Sequence, residues 1–98
     1  AMIKSAGNRI SPQEVEDAAL ATGLTEEAVA LGVPDERLGQ AVALVARGNG
    51  ERDAALAQAL AKTLPGFMQP RRIVWREVMP LGPNGKVDRV ALLQELAG

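Results

Sequence analysis

The sequence predicts one α+β domain, with about three helices packed on a small, largely antiparallel three-stranded sheet and a short β-ribbon at its N-terminus. Three observations carry this. Residues 28–33 alternate Val29, Leu31 and Val33 with Ala28, Ala30 and Gly32, the period of a strand, and residues 40–46 and 71–78 supply two further apolar strand segments. Leu56, Leu60 and Leu64 recur at the spacing of a helix face. Ser11-Pro12-Gln13-Glu14 spells out a helix start, with a side-chain cap, proline in the first turn and an acid three residues on.

Taken in order, "MIK" and "NRI" flank Ser5-Ala6-Gly7 and form a tight ribbon with a small, exposed tip. The first helix runs from Pro12 to about Thr22 and stops at Gly23, with Ile10 and Val15 placed as a hydrophobic staple. "PDERLG" turns the chain between the first two sheet strands, which makes them antiparallel neighbours. A helix follows over residues 51–64 and ends at Pro65-Gly66. The third strand, "RRIVWREV", leads through a Gly- and Pro-rich loop to a last helix capped by Asp88, with Val87 and Leu92 as a second staple.

Composition narrows the chemistry. A chain of 98 residues, 47% hydrophobic, is long enough for one core and too short for two. Eleven basic and twelve acidic residues give a net charge of −1, so no global field draws in nucleic acid or an anionic membrane. Cysteine and histidine are both absent, which excludes thiol nucleophiles, imidazole bases and the usual zinc sites; no metal site is expected. No apolar run is long enough for membrane insertion, and a cytoplasmic protein is the default expectation. The opening Ala1-Met2 leads straight into "IKSAGNRIS", as in a piece cut from a longer chain.

The stretch "LGPNGKVDR" (81–89) places one lysine between a glycine and a helix start. A solvated turn accounts for it in the simplest way. A phosphate-binding P-loop does not: Pro80 stands where the first glycine belongs, and Val87 follows the lysine where Ser or Thr would bind magnesium. The remaining reading is a lysine delivered to an anionic centre, with Asn84 and Gly85 shaping its loop and the capped helix fixing its stem.

Two separated segments share one resemblance. "IKSAGNRISPQEVE" (3–16) resembles Ile-Lys-x-x-Gly-x-Arg-Ile-x-Pro-x-Glu-Ile-Glu, and "MPLGPNGKVDR" (79–89) resembles Leu-Pro-x-x-x-x-Gly-Lys-x-x-Arg, with Met79 in place of the commoner Leu. Both motifs are those of the small C-terminal subdomain of adenylate-forming enzymes: acyl-CoA synthetases, nonribosomal peptide synthetase adenylation domains and beetle luciferases. "ALGVPDERLGQAVALVA" between them is similar to that family's Val-Gly-x-Pro-Asp-x-x-x-Gly stretch.

The resemblance implies that residues 1–98 are a mobile subdomain whose large N-terminal domain and hinge lie upstream. It implies a catalytic role for Lys86 in carboxylate adenylation by ATP. After rotation on the hinge, the loop Ser5, Ala6 and Gly7 would line the passage of a coenzyme A or phosphopantetheine thiol, while Arg9 would contact phosphates or acidic groups at the interface. ATP, with Mg2+, would be held mainly by the large domain, so the chain by itself is expected to be folded, inactive and without bound cofactor. The partners implied are that domain, a carboxylic acid, and coenzyme A or a carrier protein. A free-standing module in which Arg71, Arg72 and Arg76 around Trp75 bind RNA or a protein is the alternative; strand alternation, which puts Ile73 and Trp75 on one face, argues for core packing instead.

Overall fold

The computed structural model describes residues 1–97. Its elements are β1 (Ile3–Ser5), β2 (Asn8–Ile10), α1 (Pro12–Ala21), β3 (Ala28–Asp35), β4 (Gly39–Arg47), α2 (Asp53–Thr63), a 3-10 turn (Gly66–Met68), β5 (Arg72–Arg76) and α3 (Arg89–Ala97). The order is the one the sequence predicts. At the start of α1 the Glu14 amide donates to Ser11 Oγ at 3.3 Å, Pro12 opens the helix, and Ile10 and Val15 are both buried. At α3 the Asp88 carboxylate accepts from the Ala91 amide at 3.0 Å, and Leu92 is buried with Val87 against it.

The three expected strands form, and the ribbon joins them in one five-stranded sheet. The hairpin β3–β4 is antiparallel from Ala28↔Ala46 to Asp35↔Gly39. On the other side of β4, β5 runs parallel from Ala43↔Arg72 to Arg47↔Arg76, and β1 touches the start of β4 through the single pair Ser5↔Gly39. The parallel pairing needs a connection that carries the chain back to the starting end of β4, and α2, packed on the face of the sheet, supplies that crossover.

The sheet is covered on both faces, and β4 records this in its sequence, since Ala41 to Ala46 are buried without interruption. On one face Val42, Leu44 and Ala46 meet Val15 of α1 and Leu56 and Leu60 of α2; on the other Val45 packs with Val29, Leu31, Met79 and Leu92 under α3. A side chain supplements the thin pairing of β1. Gln40 lies across Gly32, where a Cβ would come within 2.9 Å of its Nε2, and its Oε1 accepts from the Lys4 amide at 2.8 Å.

Candidate functional site

Lys86 sits on a tight hairpin closed by the bridge Leu81↔Val87. The Gly82 amide donates to the Lys86 carbonyl at 2.7 Å, the Gly85 amide returns to the Gly82 carbonyl at 3.0 Å, and the Lys86 amide donates to Asn84 Oδ1 at 3.2 Å. Pro83 is well suited to the first corner of such a turn, and Gly85 adopts φ 79, a conformation costly for any residue with a Cβ. One step further the Asp88 amide donates to the Pro80 carbonyl at 2.8 Å, so both stems are tied together at the base. The backbone is therefore held while the lysine side chain is exposed, and among the described residues its ammonium has no ion-pair or hydrogen-bond partner. A groove along Glu27, Ala28 and Val29 at the start of β3 runs past the loop.

The ribbon tip is strained. Ala6 and Gly7 both have positive φ, 50 and 85, the pattern of a primed two-residue hairpin turn. For alanine this is an unusual conformation, and it is held by a 2.8 Å bond from the Ala6 amide to the Leu38 carbonyl. Ser5 is buried, whereas Ala6 and Gly7 are exposed, and a crevice of about 110 Å³ opens beside them between Leu38, Phe67 and Arg71. Arg9 lies across the ribbon from Lys4, both exposed and without an acidic partner among the described residues. Two like charges in a facing pair repel, which suits an anion brought in from outside.

Leu38 ends a turn organised by Asp35, whose Oδ1 accepts from the amides of Leu38 at 2.8 Å and Arg37 at 2.9 Å. The Leu38 amide foremost, then the Arg37 amide and the charges of Arg71 and Arg37, hold this carboxyl below the usual aspartate range against some desolvation. The unfolded chain thus takes up this proton at higher pH than the folded turn does. Its stabilising contribution is complete above the ordinary aspartate range and is lost as the pH falls through the lowered folded value. In an acid titration followed by NMR, the Leu38 and Arg37 amides should shift with a midpoint below that of an ordinary aspartate; a midpoint at or above it would contradict this account of the turn.

The Lys86 loop and the ribbon tip lie at opposite ends of one sheet. Lys86 borders the groove at Ala28, whereas Ala6 is bonded at the turn beyond Asp35, so the full length of β3, roughly 23 Å at 3.3 Å per residue, separates them. An unbroken ladder with β4, from Ala28 to Asp35, makes that distance rigid.

"RRIVWR" is absorbed by the fold. Trp75 Nε1 donates to Asp53 at 2.8 Å, Ile73 and Trp75 pack on the core, Arg72 Nη1 donates to the Leu96 carbonyl at 3.2 Å, and Arg76 pairs with Glu95. Of its three arginines only Arg71 has no side-chain partner among the described residues, and Trp75 is tied to α2, which leaves no run of free basic residues around the aromatic. What sequence reasoning missed is a link between distant motifs: Glu16, buried on α1, accepts at 2.8 Å from Arg89, the first residue of α3. Both residues stand in the two motifs, but nothing in either motif shows that they meet.

Residues 14–86 match the AMP-binding enzyme C-terminal domain family. The chain belongs to that family. Its relatives include a peptide synthase and a CoA ligase. Tyrocidine synthase 2 of Brevibacillus parabrevis is 36% identical over 91 residues, covering 92% of this chain and 2% of that protein. Sulfoacetate–CoA ligase of Cupriavidus necator is 37% identical over 95 residues, covering 94% of this chain and 19% of the ligase. Among solved structures, an acyl-CoA synthetase from Brucella canis superposes with a TM-score of 0.83 at 32% identity, over 97% of this chain and 19% of that one. ATP-bound MatB from Rhodopseudomonas palustris gives 0.89 at 21% identity, over 98% and 20%, a likeness of fold. The C-terminal domain thus spans about a fifth of the ligase and a few per cent of the synthase. The family match begins at Glu14, so the ribbon lies outside it. Among the described residues no helix is long and apolar enough to cross a membrane, and no group of three potential metal ligands occurs.

Proposed function

We propose that residues 1–98 form the mobile C-terminal subdomain of a cytoplasmic AMP-forming acid–thiol ligase of the acyl-CoA synthetase kind, working with a large N-terminal domain of the same enzyme. The observation that carries the reading is the placement of two exposed loops at opposite ends of one rigid sheet. A body so built cannot bring both loops to one active site at once. It must turn between the two half-reactions, which is a rigid-body switch on a hinge.

In the first pose Lys86 enters the site where the substrate carboxylate attacks the α-phosphorus of ATP and pyrophosphate leaves. Its ammonium lies between two anions, offsets their repulsion and stabilises the charge that builds on the phosphoryl oxygens. Asn84 and Gly85 hold the loop that presents it. In the second pose the tip Ser5-Ala6-Gly7 faces the acyl-AMP. The thiol attacks the acyl carbon and AMP leaves, through a passage that small side chains at 6 and 7 keep open. Arg9, repelled by Lys4 across the ribbon, meets phosphates or carboxylates at the interface. ATP and its Mg2+ are bound mainly by the large domain.

Coenzyme A and a carrier protein both deliver the thiol on a pantetheine arm, so the ribbon serves either. The synthase relatives support a second reading, an adenylation domain that loads a carrier protein. Both readings make the same first test. The 98-residue chain alone should catalyse no ATP–pyrophosphate exchange with any carboxylic acid. Robust exchange by the pure chain would remove the subdomain reading. Assay of the whole enzyme with coenzyme A against a pantetheinylated carrier then separates the two.

A further inference from the structure

The edge strand β3 carries an unusual cover. Ala30 pairs with Leu44 of β4 on its inner side, yet its own N–H donates to Glu16 Oε2 at 2.8 Å and its carbonyl accepts from Arg89 Nη1 at 3.3 Å. These are the outward-facing groups of an edge, which a further strand would otherwise bind. A carboxylate and a guanidinium stand in for that strand, joined to each other at 2.8 Å through Arg89 Nη2 and the same Glu16 oxygen. The Glu16 side chain is only 7% exposed, whereas that of Arg89 is 49% exposed.

The position of Arg89 gives the pair a second consequence. Arg89 is three residues beyond Lys86 and begins α3, and between them Asp88 bonds back to Pro80 and caps the helix through Ala91. Besides the packing of Val87 and Leu92, the downstream stem of the lysine loop is thus tied through Arg89 to α1 by an ion pair and to β3 by a hydrogen bond. The Lys86 side chain finds no ion-pair partner among the described residues, so the direction in which it leaves the domain follows from how the hairpin is seated, and Arg89 stands on the stem that joins that hairpin to α3.

We infer that Glu16, acting through Arg89, is a positioning residue for Lys86: the pair fixes the start of α3 against the edge of β3, so that the lysine reaches the adenylation site in one orientation. This rests on the proposed role of Lys86. An edge cover with no such role would need no connection to this stem, and its loss would affect every activity of the domain alike. A misplacement near 1 Å costs up to about a hundredfold in a reaction that depends on orientation.

The test uses the whole enzyme that carries this chain and both half-reactions. Arg89→Ala should lower kcat for adenylation roughly ten- to a hundredfold with the KM for ATP little changed, while transfer from supplied acyl-AMP stays near wild type. Arg89→Lys, which keeps the charge but not the fork to both Glu16 and Ala30, should recover part of the loss. On a Lys86→Ala background Arg89→Ala should cause no further loss, because there is no longer a lysine to position. Glu16→Gln, which retains an acceptor for the Ala30 amide, carries the same comparison if Arg89→Ala does not fold. Equal losses in both half-reactions, equal losses in both backgrounds, or no loss would each overturn the inference. A Lys86→Ala enzyme that adenylates at wild-type speed would instead overturn the lysine reading beneath it.

Discussion

Replacing Lys86 by alanine in the whole enzyme should slow adenylation steeply while leaving substrate binding nearly intact. The ammonium is proposed to act where charge builds as the carboxylate attacks phosphorus, so its loss falls on the transition state and not on the ground state. Removal of one preorganised donor from a comparable site costs about 2.7–4 kcal/mol, or roughly 10²–10³ in rate. The loop geometry sharpens the expectation. Every bond that shapes the hairpin comes from backbone groups and Asn84, none from the lysine side chain. Truncating that side chain should therefore leave the turn intact, and thermal stability should barely change. Transfer from supplied acyl-AMP should survive as well, because in the proposed second pose the ribbon tip would face the chemistry and Lys86 would be turned away by the length of the sheet. Half-reaction rates on the one variant decide the matter. Adenylation at wild-type speed would return the loop to an ordinary solvated turn, and equal damage to both steps would make it an organiser of the domain.

The elements of this fold are legible because each carries its own local chemistry. Ser11-Pro12-Gln13-Glu14 caps α1 in the sequence and in the structure, and the apolar run of β4 is explained by a sheet buried on both faces. How the elements join is less legible. The parallel alignment of β5 depends on α2 crossing over the sheet, and the attachment of the ribbon depends on Gln40 reaching the Lys4 amide across a glycine. Neither is a property of any short window. The site divides in the same way. Lys86 and Ser5-Ala6-Gly7 are visible as motifs, with turn chemistry that the backbone bears out. The ion pair between Glu16 and Arg89 is not, because 73 residues separate its members and each has a sufficient local explanation, one in a helix and one after a cap.

Substitution of Gly7 by leucine should act on the other half-reaction. Gly7 has φ 85, and a Cβ built there meets no atom within 4 Å, so the domain itself has room for a side chain, and under the proposed reading an obstacle would arise only with the tip turned to the acyl-AMP. A branched four-carbon chain at that point would stand in the thiol passage. Transfer from preformed acyl-AMP should fall by at least about tenfold, given that displacement of the thiol by 1 Å can cost a hundredfold, while ATP–pyrophosphate exchange stays within a few-fold of wild type. Strain is the competing cause, since any L-residue in this conformation costs roughly 1–2 kcal/mol and the ribbon is short. Gly7→Ala separates the two. It imposes the same backbone cost with almost no bulk, so under the passage reading it should slow transfer far less than leucine does. The tip is exposed and tied down by Ala6 rather than by Gly7, through the Leu38 carbonyl, which limits how far that strain spreads. If alanine proved as harmful as leucine, backbone conformation and not passage width would be what Gly7 supplies. If both half-reactions fell together in Gly7→Leu, the ribbon would be serving the fold of the domain, and its proposed place beside the thiol would be lost.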